Sequence, residues 1–261
     1  MLDLLFYVVA GAGVGLAVGL TGVGGGSLMT PILILAGVPE KVAIGTDLLY
    51  AAITKSGAMY SHHRQRNIDW NVVIALALGS IPSSIATNYV LHAFVPQDVD
   101  YGPLLTHSLG VMLIITALVV FFRRKIQVDA RIDANNLAWH QRHKYALTIF
   151  SGFVLGIVVT LSSVGAGAFC AALLLVLYSN MPAFRIVGTD IAHAVPLTFI
   201  AGLGHLWIGN VDLYLLGGLL LGSLPAVHLA SKAASRIPNN VLQPVLASLL
   251  MIIGAKFVFF S

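Results

Sequence analysis

Long apolar stretches make up most of the chain, and short polar or glycine-rich stretches separate them. The apolar residues follow one another without the alternation of apolar and polar positions that marks the strands of a membrane β-barrel, so the pattern favours membrane-spanning helices. Each half of the chain contains five such segments. They cover residues 3–20, 27–37, 40–61, 70–92 and 103–122 in the first half, and 145–161, 167–179, 183–204, 211–231 and 241–260 in the second. We therefore expect an all-α integral membrane protein built as a helical bundle.

The second segment of each half, 27–37 or 167–179, is too short to cross a bilayer. Eleven residues of helix rise about 16 Å, whereas the hydrocarbon core is about 30 Å thick. Each short segment follows a glycine-rich break, so we expect the first two segments of each half to form a helical hairpin bent inside the membrane. The pattern predicts about eight full spans and two half-length helices.

The two halves repeat one sequence pattern. Residues 15–26 match residues 156–167 at a distance of 141 positions, and from Pro39 and Pro182 onward the distance is 143. Duplication in an apolar chain is typical of secondary transporters, whose working site lies where the two copies meet. The further matches are Gly45-Thr46-Asp47 with Gly188-Thr189-Asp190, His62 with His205, Asn67-Ile68-Asp69 with Asn210-Val211-Asp212, and Gly79-Ser80-Ile81-Pro82 with Gly222-Ser223-Leu224-Pro225.

The repeated Asn-x-Asp elements, 67–69 and 210–212, each follow the third apolar segment of a half. Asparagine and aspartate favour turns, and an aspartate at a helix start accepts hydrogen bonds from the first backbone amides. We therefore expect Asp69 and Asp212 to begin the fourth helix of each half.

The composition supports a lipid environment. Hydrophobic residues are 58% of the chain and charged residues 9%, whereas a soluble domain contains about 25% charged residues. Cys170 is the only cysteine, so an internal disulfide is excluded, and we expect neither a metal site nor a cofactor. The net charge of +4 comes mostly from one loop, so we expect no nucleic-acid partner. The N-terminus opens without basic residues, and we expect no cleaved signal peptide.

That basic loop predicts the orientation of the chain. Residues 123–144 contain six Lys or Arg residues, and loops of this kind lie on the cytoplasmic side. If each half crosses the membrane an odd number of times, the second half is inverted and eleven of the 14 basic residues lie in the cytoplasm, whereas an even number places nine there. We therefore expect two inverted-topology repeats, 1–122 and 145–261, joined by a basic cytoplasmic linker.

The two glycine-rich breaks form the predicted substrate site. Irregular backbone inside a bilayer is tolerated only beside protein or a water-filled cavity. Each break comes directly before a short helix, whose first N–H groups carry partial positive charge and suit an anion. In inverted repeats these two positive ends would meet near the membrane midplane; in the alternative interpretation the glycines only let helices pack closely. The predicted site residues are Thr21, Gly22, Gly24, Gly25, Gly26 and Ser27 in the first break, and Ser162, Ser163, Gly165 and Gly167 in the second.

Four ionisable residues lie inside predicted spans. Lys55 is near the middle of segment 40–61, and a central lysine costs at least about 2.5 kcal/mol on insertion scales, so it needs a partner or a task. We expect it to attract the anion, and the alternative is a structural ion pair. Asp47 and Asp190 are interpreted either as helix caps or as gate residues that titrate with protons. His193 is interpreted as a proton carrier or as a buried, hydrogen-bonded side chain.

The repeated motifs resemble those of one transporter family. They are the break Leu20-Thr21-Gly22-Val23-Gly24-Gly25-Gly26-Ser27 with Pro31, the Gly45-Thr46-Asp47 element and the Gly79-Ser80-Ile81-Pro82 run. Over nearly the full chain this pattern resembles the TauE/SafE sulfite and sulfonate exporter family, also called the toluene-sulfonate-uptake permease family. The resemblance implies a secondary transporter of the bacterial inner (plasma) membrane that moves sulfite, sulfoacetate or another small sulfur-containing anion.

One difference between the halves affects the predicted site. In the second break Ala166 and Ala168 replace Gly25 and Ser27, so the two breaks are not chemically equal. Lys55 likewise has Thr198 as its counterpart.

We hypothesise alternating-access export of a small oxyanion by a proton-linked or potential-driven carrier, and not an enzyme. Its partners are the anion and the lipid bilayer, and the sequence leaves open whether the chain acts alone or as a homodimer. One alternative is an anion channel with a permanently open path. Another is an intramembrane hydrolase with Ser27 or Ser163 as nucleophile and His193 as base, although a catalytic pair needs no second glycine-rich break.

Overall fold

The computed structural model describes residues 2–21, 26–93, 101–133, 138–233 and 239–260, with side chains described for 4–17, 28–93, 101–122, 143–230 and 244–260. These residues form ten α-helices, and no strand occurs among them. The predicted all-helical architecture is therefore confirmed. The helices are α1 (Leu2–Thr21), α2 (Gly26–Leu35), α3 (Glu40–Arg64), α4 (Trp70–Ala93), α5 (Gly102–Asp133), α6 (Ala138–Ser162), α7 (Ala168–Leu177), α8 (Ala183–Ile208), α9 (Leu213–Ala233) and α10 (Asn239–Phe259).

Two helices, α2 and α7, have ten residues each. At 1.5 Å per residue each is about 15 Å long, half of what a bilayer core requires. The prediction of one short helix after the glycine-rich break of each half is confirmed.

Among the described residues, five helical stretches are long and apolar enough to cross a membrane. The helix α3 has sufficient length, with 25 residues, but polar side chains such as Asp47 and Lys55 keep it out of this set. The chain is therefore a helical, multi-pass membrane protein. The five stretches are Trp70–Ala93, Gly102–Phe122, His143–Ser162, Ala183–Ile208 and Leu213–Ala230.

The segment between the halves differs from the predicted loop. The helix α5 continues past its apolar part to Asp133, and α6 begins at Ala138, so helix occupies most of residues 123–144. Hydrophobicity shows where a span leaves the lipid but not where its helix ends, because lysine, arginine, glutamine and alanine continue a helix readily in water.

The tightest helix pairs join the two halves. The first helix of each half packs against the fourth helix of the other, so that α1 contacts α9 and α6 contacts α4. At the centre α3 packs against α8, and α5 packs against α10. The helices α3 and α8 are antiparallel, because Gly45 near the start of α3 lies against Asn210 after the end of α8, and Gly188 lies against Asn67 in the same way.

Small residues allow these helix pairs to approach closely. A methyl group on Gly79 would lie 2.0 Å from the carbonyl oxygen of Ile149, and one on Gly222 would lie 1.9 Å from that of Val8. The two contacts are counterparts, because Gly222 follows Gly79 by 143 positions and Ile149 follows Val8 by 141. The halves therefore make the same contact with each other twice, with their roles exchanged.

Hydrogen bonds repeat the exchange at both ends of α3 and α8. The hydroxyl of Thr46 accepts the backbone N–H of Asp212 at 3.1 Å, and that of Thr189 accepts the backbone N–H of Asp69 at 3.0 Å. Each aspartate then accepts two backbone amides of the helix that follows it. The expected helix-start role of Asp69 and Asp212 is confirmed.

Replacing Gly222 by Ala should lower the stability by about 1–3 kcal/mol, because the new methyl group would overlap the Val8 carbonyl and push α1 away from α9. Gly217 is a matched control on the same helix, since a methyl group there meets nothing within 4 Å. Its replacement by Ala should leave the melting temperature unchanged or raise it slightly, because Ala forms helices better than Gly. Thermal unfolding in detergent measures both effects. Equal melting temperatures for the two variants would contradict the close approach.

Candidate functional site

The central helices α3 and α8 carry the four predicted ionisable residues into the interior. Each helix begins directly after a proline, at Pro39 and Pro182 with φ of −54° and −59°. Asp47 and His193 are fully buried, and Lys55 and Asp190 are 7% and 5% exposed. Four ionisable groups thus lie inside the bundle, where an unpaired charge is costly.

Lys55 reaches from the first half to the break of the second half. Its ammonium group donates a hydrogen bond of 2.5 Å to the carbonyl oxygen of Ala166. Gly167, the residue after Ala166, comes directly before α7, and no described side chain caps the start of that helix. The first N–H groups of α7 begin two residues after the carbonyl that holds Lys55. Those of Cys170 and Ala171 donate to the carbonyl oxygens of Gly165 and Gly167. Ala168 and Phe169 therefore supply the N–H groups that have no partner inside the helix. The structure brings together the two features that the sequence analysis assigned to an anion.

Asp47 connects both halves through two hydroxyl groups. Its Oδ2 atom accepts a 2.5 Å hydrogen bond from Thr30 on α2 and a 2.9 Å hydrogen bond from Ser163 in the second break. Asp47 lies eight residues into α3, so it does not cap the start of its own helix, and its part in gating stays a prediction. Thr30 was not among the predicted site residues, although it is a polar residue in the middle of the apolar helix that follows the first break.

The second break turns the chain with residues in the left-handed region. Ser163 has a φ of +58° and Gly165 a φ of +115°, the latter being favourable only for glycine. The hydroxyl of Ser162 accepts the Val164 N–H at 3.2 Å and therefore holds the bend. The two predicted serines thus have different places, since Ser162 bonds the backbone of the break and Ser163 bonds Asp47.

His193 makes a second set of polar contacts, with side chains on α4 and α7. Its Nε2 atom is 2.8 Å from the Ser80 hydroxyl, and its Nδ1 atom is 3.9 Å from the sulfur of Cys170. Asp190 lies within electrostatic range of Lys55 and Cys170. Ser80 was recognised only as part of a repeated motif and Cys170 only as a lone cysteine, because their contact with His193 joins three helices that are distant in sequence.

The first break falls largely outside the described residues. Gly22, Gly24 and Gly25 lie outside them, and Thr21 and Gly26 are described only as the ends of α1 and α2. The side chain of Ser27 is likewise outside the description. The meeting of the two breaks at the midplane stays a prediction.

A cavity of about 1060 Å³ opens at one end of the bundle, between the start of α1 and the turns α2–α3 and α8–α9. Tyr7, Val42 and Asp212 are among the residues that line it. The four buried ionisable residues are not part of this lining, and apolar side chains such as Leu215 separate the two regions.

The other end of the bundle is held together by side-chain contacts. The hydroxyl groups of Thr148 and Tyr178 are 2.8 Å apart, and the Arg185 guanidinium lies 3.9 Å from the Asp69 carboxylate. Thr148, Arg185 and Asp69 are the repeat counterparts of the cavity residues Tyr7, Val42 and Asp212. Equivalent residues thus line an open cavity at one end and form contacts at the other.

The part of the chain that the structure describes contains no group of three or more His, Cys, Asp or Glu side chains placed to hold a metal ion. The interior site instead contains hydroxyl groups, one ammonium group, one imidazole ring and two carboxyl groups. These are groups that bind and orient a small polar solute.

Comparison with known proteins gives a consistent result. The sequence profile of the family described as "Sulfite exporter TauE/SafE" matches residues 7–257. The probable membrane transporter protein YjnA of Bacillus subtilis is 39% identical over 254 residues, which cover 96% of this chain and 98% of that protein. Probable membrane transporter protein YdhB of the same organism is 26% identical over 91% of this chain and 96% of its own. Probable membrane transporter protein MJ0441 of Methanocaldococcus jannaschii is 25% identical over 97% and 95%. No solved structure gives a significant match.

Proposed function

Because the chain belongs to the TauE/SafE sulfite exporter family and is a membrane transporter, we propose that it exports a small sulfur-containing anion across the bacterial inner membrane by alternating access. Sulfite, sulfoacetate and related sulfonates are the proposed substrates. The observation that carries this proposal is the Lys55 ammonium group, buried beside the uncapped start of α7.

The anion binds between Lys55 and the first turn of α7. An ammonium group has three donors, and Ala166 occupies one of them, so the others can serve a ligand. The N–H groups at the helix start add partial positive charge directed at the same place. Gly167 lets a bound oxyanion approach the backbone closely, since it carries no side chain. Gly165 shapes the turn beside it, because a methyl group there would lie 3.2 Å from the Met112 side chain. Sulfite and sulfonate groups present three acceptor oxygens to these donors.

The first break contributes the second half of this site. Thr21, Gly22, Gly24, Gly25, Gly26 and Ser27 supply backbone amides and two hydroxyl donors from the opposite side. Ser162 supports the second break from within, and Ser163 links it to Asp47. Asp47, Asp190 and His193 carry protons or act as gate residues beside the anion. In a cell with a negative interior, export of an anion is favoured by about 2.3 kcal/mol per charge per 100 mV, so no ATP-driven pump is needed.

The proposed transporter consists of two inverted repeats, 1–122 and 145–261, joined by a cytoplasmic linker at 123–144, with about eight full-length helices and two half-length helices. The start of α1 and the turn between α2 and α3 lie at the same end of the bundle, so in this arrangement the hairpin adds no net crossing and each half crosses an odd number of times. Two further observations support this arrangement. Equivalent contacts occur twice with the halves exchanged, as between partners related by a two-fold axis. The equivalent helices α3 and α8 are antiparallel, which fits an axis in the membrane plane and not one along the membrane normal.

The different states of equivalent residues at the two ends support alternating access. The end with Tyr7, Val42 and Asp212 has an open cavity, whereas the counterparts of these residues at the other end take part in closing contacts. Rocking of the halves about α3 and α8 would close the open end, open the closed end and expose the anion site on the opposite side. A channel would instead require a continuous path, and saturable flux with counterflow distinguishes a carrier from it.

The hydrolase alternative has little support in the geometry. Ser163, one of its two candidate nucleophiles, donates to Asp47, and the ring of His193 contacts Ser80 and Cys170. The proposed base and this nucleophile are therefore directed to different partners. The side chain of Ser27, the other candidate, lies outside the described residues.

Replacing Lys55 by Met should reduce sulfite flux from loaded proteoliposomes about tenfold or more. The substitution keeps the volume but removes a charged donor, which is worth about 1.5–3 kcal/mol, and each 1.4 kcal/mol corresponds to a factor of ten. Lys256→Met is the control, because Lys256 is an exposed residue near the end of α10. Melting temperatures in the presence of sulfite, sulfate, thiosulfate and small sulfonates identify the ligand, since a bound ligand raises the melting temperature. Wild-type flux in Lys55→Met would remove Lys55 from the site.

Equivalent positions in the two halves should be accessible from opposite sides of the membrane. Asn71 and Tyr214 are counterparts at the starts of α4 and α9, and both are exposed. In a Cys170→Ser background, a membrane-impermeant maleimide applied to intact cells should label Tyr214→Cys at once and Asn71→Cys only after permeabilisation. Labelling of both from the same side would refute the inverted arrangement.

A further inference from the structure

Among the residues that the structure describes, none donates a hydrogen bond to one of the two oxygen atoms of the Asp47 carboxyl group. Asp47 is fully buried, and Oδ2 accepts both hydroxyl groups, from Thr30 and Ser163. Its Oδ1 atom is buried and has no hydrogen-bond partner among the described residues. An ionised carboxylate that leaves one oxygen unsatisfied in an apolar interior loses several kcal/mol, and a proton on that oxygen removes this loss. The arrangement of two donors on one oxygen and none on the other matches a carboxyl group that carries its proton on Oδ1.

We infer that Asp47 is the binding site of a coupling proton and that this proton must be bound before the anion can occupy the site beside Lys55. This inference rests on the proposed function, and it assigns to that function the ion that accompanies the substrate. It also distinguishes Asp47 from the other buried ionisable residues of the bundle.

The charges around Lys55 explain why the proton comes first. With Lys55, Asp47 and Asp190 all ionised the cluster has a net charge of −1, and both carboxylates are within electrostatic range of the ammonium group. An entering anion would then meet a negative site, and like charges repel strongly where water is scarce. Protonation of Asp47 makes the cluster neutral and frees the Lys55 ammonium to interact with the substrate. Anion and proton therefore stabilise each other's binding and move together, so the membrane potential acts on the charge of the anion less one.

The groups around Asp47 come from six parts of the structure. Thr30 on α2 and Ser163 in the second break donate to it, and neither titrates. Asp212, directly before α9, is turned to that helix, where its carboxylate accepts the first amides. The remaining titratable or charged groups of this region are Tyr50 and Lys55 on α3, Cys170 on α7, and Asp190 and His193 on α8.

The repeat explains why Asp47 and not Asp190 has this role. The counterpart of Thr30, 141 positions later, is Ala171, and the counterpart of Ser163 is Gly22. The two hydroxyl groups that polarise the Asp47 carboxyl group are therefore not repeated around Asp190, which lies beside the thiol of Cys170 instead. The Oδ1 atom of Asp190 is buried like that of Asp47, so the two aspartates differ in their hydroxyl donors, which occur only around Asp47.

Infrared difference spectra of the purified protein between neutral and acidic pH test the assignment without any anion. We expect a C=O stretching band of a protonated carboxyl group that is lost in Asp47→Asn and kept in Asp190→Asn. Size-exclusion profiles and melting curves check that each variant is folded. The other acidic residues give bands of their own in acid, so a spectrum of folded Asp47→Asn that matches the wild type band for band would overturn the inference.

Thr30→Val provides a second variant that retains Asp47. The band should remain but move to a higher wavenumber, because the carbonyl oxygen of the acid loses one of its two hydrogen-bond donors. Ser56→Ala is the control, since the Ser56 hydroxyl bonds only the Ala52 carbonyl of its own helix in the described contacts. An unchanged band position in Thr30→Val would assign the band to another residue and refute the inference.

Addition of sulfate or methanesulfonate at constant neutral pH tests the coupling. Both anions stay fully ionised near neutrality, so any proton uptake belongs to the protein. The band should grow in the wild type and stay absent in Asp47→Asn. If an anion raises the melting temperature but leaves the band unchanged, the coupling is wrong although the anion site stands. If the band depends on pH but no sulfur-containing anion affects the melting temperature or the flux, the proposed substrate class fails while the proton site stands.

Discussion

The interior of the bundle depends on a positive charge of one half being held by the backbone of the other. Lys55 lies on α3, and the carbonyl that accepts its hydrogen bond belongs to the break before α7. An ammonium group buried in a membrane protein is stable only with acceptors and counter-charges around it. The break, the short helix and the two buried aspartates satisfy this requirement together, and each would be unfavourable in lipid without the others. The same requirement places the donors of the lysine and the start of α7 where an anion can use both.

The two halves share their packing but not their chemistry. Glycine contacts and hydrogen bonds from Thr46 and Thr189 recur in equivalent places, so the frame is built twice. In contrast Lys55 corresponds to Thr198, and the hydroxyl group of Thr30 corresponds to the methyl group of Ala171. A symmetric frame allows two equivalent conformations, one open to each side, whereas the unequal residues define a single site inside it. This arrangement suits a carrier, because the symmetric frame changes its conformation while the substrate stays bound to the same residues.

Much of the frame could be predicted because hydrophobicity has a direct physical meaning in a bilayer. Apolar runs must be helical there, and an eleven-residue run cannot span, so α2 and α7 were recognisable from length alone. The extension of α5 to Asp133 could not be recognised in this way, because a helix in water needs no run of apolar residues. Within the site, Lys55 was identifiable because a charge in a span is rare. The partners Thr30, Ser80 and Cys170 are ordinary residues in apolar helices, and only the tertiary packing gives them their roles.

The position of a bound oxyanion tests the central claim most directly. Selenate resembles sulfate in shape and charge, and its selenium atom gives an anomalous signal in crystals of the protein. The account predicts a peak within hydrogen-bonding distance of the Lys55 ammonium group and of the first amides of α7. Ordered selenate that binds only in the cavity beside Tyr7 and Asp212, or only on the surface, would contradict it.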